Sequence, residues 1–106
     1  MVLSFPRPQP GRSVEHMPSY LVETYLARDQ MSALAARERR AHSAAQELTE
    51  GTTRVRFDRS IHVPEDEICF YVFDAPSVRV ATEAAERAGL APIRVVEAVS
   101  SGEERR

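Results

Sequence analysis

The sequence has no lysine. All 14 of its basic residues are arginine, against 16 acidic residues, for a formal net charge of −2. A balance so close to neutral lacks the basic excess of a nucleic-acid-binding surface. The arginine bias is explained by the codon usage of a GC-rich genome before it is read as a phosphate signature. There is one cysteine, Cys69, so no internal disulfide can form and a reducing compartment fits. No apolar run approaches the roughly 20 residues that a membrane helix needs. The first residues, MVLSFPRPQPGRSVEH, contain no signal-peptide core and are interrupted by Pro6, Pro8 and Pro10. No GxGxxG, P-loop, GxSxG or CxxC motif occurs. These absences lead to the expectation of a cytoplasmic protein with neither a membrane nor a nucleic-acid partner.

What is present suits one small domain. A chain of 106 residues is the length of a single domain with a modest core. Residues 1–17 read as a disordered leader, because prolines interrupt them and no hydrophobic period is visible. Residues 18–100 read as the domain, and 101–106, SGEERR, as a frayed tail. Within the domain the pattern is β-α-β-β-α-β. The first strand is expected over Tyr20 to Leu26. A helix follows from about Gln30 to Leu48, capped by Asp29 and stopped at Gly51. Its expected apolar stripe is Met31, Leu34, Ala35, Ala41, Ala45 and Leu48, with Arg37, Glu38, Arg39 and Arg40 on a solvated face.

The second strand, from Thr53 to Val63, alternates with period two. Val55, Phe57 and Ile61 are expected on one face, with Arg54, Arg56, Asp58, Ser60 and His62 on the other. Pro64-Glu65-Asp66 turns the chain into a third strand, Glu67 to Phe73. A second helix from Ser77 to Ala88 carries Val78, Ala81, Ala85 and Ala88 as its stripe. Asp74 or Ser77 caps it and Gly89 ends it; a last strand covers Ile93 to Val99.

The first and third strands are apolar on both faces, so they belong in the middle of the sheet. The expected architecture is therefore α+β: a ferredoxin-like βαββαβ domain with a four-stranded antiparallel sheet in the order 4-1-3-2 and two helices on one face. Alternation places Glu23, Tyr25, Arg54, Arg56, Asp58, Cys69, Tyr71 and Glu97 on the face that the helices leave open. Such a mixed face usually meets something, most commonly a second copy of itself. The expectation is a homodimer of the α/β-barrel kind, with a ligand cavity between sheets near Glu23, Tyr25, Arg56, Cys69 and Tyr71.

Three stretches carry a family resemblance: MPSYLVETYL, ICFYVFDAPS and AAERAGLAPIRVVEAV. Together they make residues 17–99 similar to a family of small bacterial ferredoxin-like proteins. That family is catalogued as a domain of unknown function, and one branch is described as nickel-binding. The resemblance implies a dimeric ferredoxin-like fold, and implies nickel only through that branch's histidines. Where the branch carries histidine, this chain has Thr24 and Tyr25, then alanine and arginine in the first helix, then Ala85 and Leu90. Only Cys69 stands where the resemblance expects it.

The chain's own candidates for chemistry are sparse. Cys69 is a packing residue unless partners supply a metal or redox role. His16, His42 and His62 lie on three separate elements without HxxxH or HxH spacing, so Cys69, His62 and His42 would form a metal site only if the fold gathered them. The carboxylates around the hairpin, Asp58, Glu65, Asp66 and Glu67, fit a solvated tip. The aromatics Tyr25, Phe57, Phe70, Tyr71 and Phe73 lack the basic flanks of an RNA-binding sheet. The resulting expectation is a binding or accessory protein for a small molecule or metal. The alternatives are a cofactor-free monooxygenase- or isomerase-like enzyme using Glu23, Tyr25, Arg56 or Tyr71, and an interaction module using the arginine-rich helix face.

Overall fold

A computed structural model describes residues 17–100. The leader and tail expectations, and His16, lie outside the described residues. Four strands, β1 (Ser19–Tyr25), β2 (Arg56–Val63), β3 (Ile68–Asp74) and β4 (Arg94–Ala98), form one antiparallel sheet in the order β2-β3-β1-β4. Read from the other edge, that is the expected 4-1-3-2 order. Helices α1 (Leu34–Glu50) and α2 (Val78–Arg87) contribute to one continuous core with a single face of the sheet. No helix among the described residues is long and apolar enough to cross a membrane.

Small side chains let α1 lie close to the sheet. Ala41, Ala44, Ala45 and Leu48 are its buried stripe. The helix starts later than its sequence suggests. Arg28–Ala33 form a 3-10 segment in which Gln30 leaves helical geometry (φ −118°, ψ 26°), and no side chain caps α1. Asp29 is therefore no cap, and Met31 and Ala35 are exposed rather than on the stripe. At the other end, the Gly51 N–H bonds to the carbonyls of Glu47 and Leu48, and Thr52 takes the positive φ. In α2 the Ser77 hydroxyl accepts from the Val80 N–H at 3.3 Å, a side-chain cap on an otherwise orphaned donor. Val80, Ala81, Ala84 and Ala85 face the core, while Val78, expected there, is exposed. Gly89 ends the helix at φ +71°, a conformation costly for any side chain with a Cβ.

Strand register decides which residues share a face. Tyr20 lies opposite Phe73, Val22 opposite Tyr71, and Thr24 opposite Cys69. All six are buried on the helix-covered face. Cys69 and Tyr71 therefore do not line the open face, as alternation had placed them. Apolar residues on both sides of β3 left its facing undetermined, and a one-residue offset moves every side chain across the sheet. The inward position of Thr24 is satisfied by its hydroxyl donating to the Cys69 carbonyl at 2.8 Å.

A second correction concerns β2. Phe57 pairs with Phe73, but Arg59 pairs with Val72, so Asp58 is an extra residue in a bulge. Beyond the bulge the alternation inverts: Ser60 and His62 pair with the buried Tyr71 and Cys69, and Ile61 pairs with Phe70 on the open face. The even period-two reading of this strand fails at Asp58. On β4, Glu97 pairs with Tyr20, which assigns it to the covered side at the sheet edge rather than to the open face.

Candidate functional site

Two regions carry the polar chemistry. The first is the open face. Leu21, Ile61, Phe70, Val72 and Val96 form its apolar stripe by register. Of the expected cavity residues, Glu23, Tyr25 and Arg56 are on this face, but they do not converge. Arg56 sits opposite Asp74 at the end where β1 begins, and Tyr25 is at the end where β1 finishes. Six residues of strand separate those ends, roughly 20 Å. Each already has a partner: Arg56 pairs with Asp74, Glu23 accepts from Arg94 at 3.3 Å, and the Tyr25 hydroxyl lies 3.5 Å from Glu67.

A concavity of about 300 Å³ does open on this face, in a different place. Leu21, Ile61 and Val72 give it apolar walls, and Asp58 and Arg59, ion-paired at 2.6 Å, give it a polar edge. Sequence reasoning missed Arg59 because it depends on the bulge at Asp58. A charged pair immediately beside an otherwise clean alternation was the one available signal.

The second region is the covered face beneath the first turns of α1. Register sets Ser60 beside Tyr71, and His62 beside Cys69. Directly opposed residues on one face have Cβ atoms about 5 Å apart. Glu38 accepts from the Ser60 hydroxyl, and Arg37 donates to the Tyr25 carbonyl at 3.1 Å. Both helix residues were expected on a solvated face, yet they close the end of the core. The Tyr71 hydroxyl lies beside the Cys69 thiol and the Arg37 guanidinium but makes no hydrogen bond of good geometry, and His62 Nε2 is likewise buried without a partner.

Burial pushes the Cys69 thiol above its ordinary value, against the opposing pull of the Tyr71 hydroxyl and Arg37. Burial also raises Tyr71, and its contact with Cys69 adds to the shift. At neutral pH both groups therefore keep their protons. A protonated, buried thiol is a poor nucleophile and a poor metal ligand.

Of the two described histidines, only His62 stands beside Cys69. His42 packs edge-on against Phe57, ring centroids 4.7 Å apart at 89°, towards the opposite end of β2 from His62. Among the described residues no three His, Cys, Asp or Glu side chains are placed to hold a metal ion. The donors present thus do not fit the nickel that the resemblance implied. Comparison with protein-family models, curated proteins and solved structures gave no match.

Proposed function

We propose that this protein is a small homodimeric binding protein, in which two open sheet faces meet and the concavity beside Asp58 and Arg59 takes a small organic ligand. The observation that carries this reading is the apolar stripe of exposed Ile61 and half-exposed Leu21, Phe70 and Val96 around the buried Val72, on the sheet face that no helix covers. A second copy is the favoured occupant because the rim is charge-matched to itself. Glu23 and Arg94 flank one side of the stripe, and Asp74 and Arg56 the other. A two-fold axis can then set acidic against basic groups while the apolar centres meet. The concavity has the volume of a small-ligand site at the lower end of the usual range. No catalytic role enters this reading, since Glu23, Tyr25 and Arg56 are spread along the open face and already paired, and Tyr71 is buried on the other face.

Sedimentation velocity at micromolar concentration tests the reading. The expected result is a dimer for the native chain and a monomer with unchanged helical circular dichroism for Phe70→Lys. Lysine there lies opposite Glu23, so the monomer gains a compensating cross-strand pair. A native chain that sediments as a monomer would refute the proposal.

A further inference from the structure

A second cavity is on the other side of the molecule, between the outer surfaces of α1 and α2, and the dimer reading does not use it. It is a groove of about 490 Å³ floored by Ala36, Ala44 and Ala88. Arg39, Arg40 and Ser43 from α1 and Arg87 from α2 form its walls, with Glu47 as the one acidic group among the lining residues. Small residues on the facing helices create the hollow, and the arginines give it a local charge of about +2 by counting three guanidiniums against one carboxylate.

Two of these arginines are held in place. Arg40 Nε donates to the Ala88 carbonyl at 2.8 Å, where α2 ends, which leaves its two terminal nitrogens available. Arg87 donates to Glu47 at 3.2 Å. Anchored guanidiniums lose less freedom when they take a ligand. Arg39 and Ser43 are exposed on the same helix face and add donors. The negative end of the α2 dipole disfavours an anion here, but Arg40 already occupies the carbonyl that expresses it.

We propose that this groove binds a small phosphorylated molecule through Arg39, Arg40 and Arg87. A phosphomonoester carries about −1.5 to −2 charge at neutral pH and three acceptor oxygens, which matches the charge and the donor geometry better than a carboxylate with two oxygens. A concave groove of this volume suits a small molecule rather than an extended acidic chain.

NMR titration of the intact protein with inorganic phosphate, at constant ionic strength, tests the proposal. Saturable shifts confined to residues 36–47 and 87–88 are expected. Arg39→Ala and Arg87→Ala should each weaken binding by about tenfold. Arg28→Ala, whose residue pairs with Glu67 on the 3-10 segment, should leave it unchanged. Among the described residues the exposed Arg39 makes no hydrogen bond or ion pair, so its loss separates binding from folding. Absence of saturation, shifts centred elsewhere, or equal weakening by Arg28→Ala would each overturn the proposal.

Discussion

Along β3, Cys69, Tyr71 and Phe73 are fully buried under the helices, while Phe70, between two of them, keeps partial access on the opposite side of the same strand. The two faces handle polarity differently. On the open face, charges stand in pairs at the margin of an apolar stripe: Glu23 with Arg94, Asp74 with Arg56. On the covered face there are few charges, and polar groups must find partners inside. Thr24 and Ser60 do so, whereas the Tyr71 hydroxyl and His62 Nε2 do not. The buried core is therefore concentrated on the covered face, and the proposed association on the open one.

The largest test of this contrast is a pair of truncations on one strand. Phe73 packs against Phe57 at a centroid distance of 5.3 Å and is fully buried. Phe73→Ala should cost about 3–5 kcal/mol in urea unfolding, by lost burial and the cavity left behind. Phe70→Ala, measured where the chain is monomeric, should cost about 1 kcal/mol or less. Equal losses would mean that the open face is as much a part of the monomer's core as the covered one.

A smaller effect probes the polar end of the covered face. Tyr71→Phe removes a desolvated hydroxyl without changing the ring, so stability should rise by about 1 kcal/mol. A loss instead would show that the hydroxyl has a partner, such as a buried water. Alkaline unfolding gives an independent readout. Burial raises both Cys69 and Tyr71 above their ordinary values, 9.0 and 10.0, so above those values the unfolded chain releases protons that the folded chain retains. Their contribution is complete below pH 9 and is lost as pH rises towards the folded values. Denaturation midpoints should fall from about pH 9 upwards, and less steeply in Tyr71→Phe.

The same contrast explains what could be read from the sequence. Strand order was legible because YLVETYL and ICFYVF are apolar on both sides, which only central strands sustain. That same property hid the facing of Cys69 and Tyr71, since a strand without alternation does not say which side is which. In β2 the alternation was genuine as far as Phe57, and the bulge at Asp58 then reversed it without glycine or proline to mark the place. Glu23, Tyr25 and Arg56 were correctly assigned to the open face. The concavity there was not foreseen, because Arg59 reaches it only through the bulge. Asp29 resembled a helix cap, but the chain makes a 3-10 segment first and starts α1 at Leu34, so a local capping signal lost to the geometry of the β1–α1 connection.

The smallest expected effect distinguishes the two ion pairs that frame the open stripe. Arg94 and Glu23 leave 64% and 24% of their side chains accessible, whereas Asp74, the partner of Arg56, keeps only 12%. Removing Arg94 leaves a carboxylate that water can still reach, so Arg94→Ala should cost about 0.5 kcal/mol or less and vanish in high salt. Removing Arg56 leaves Asp74 with the Ser19 hydroxyl, 2.7 Å away, as its remaining side-chain donor on a largely sheltered site. Arg56→Ala should therefore cost more than Arg94→Ala and retain most of that cost in salt, because a sheltered charge is screened less than an exposed one. Chemical denaturation of both variants in urea, at low and high sodium chloride, reads the difference directly. If the two costs coincide and both disappear with salt, the β2 margin is as wet as the β4 margin, and the open face is framed by solvent on both sides.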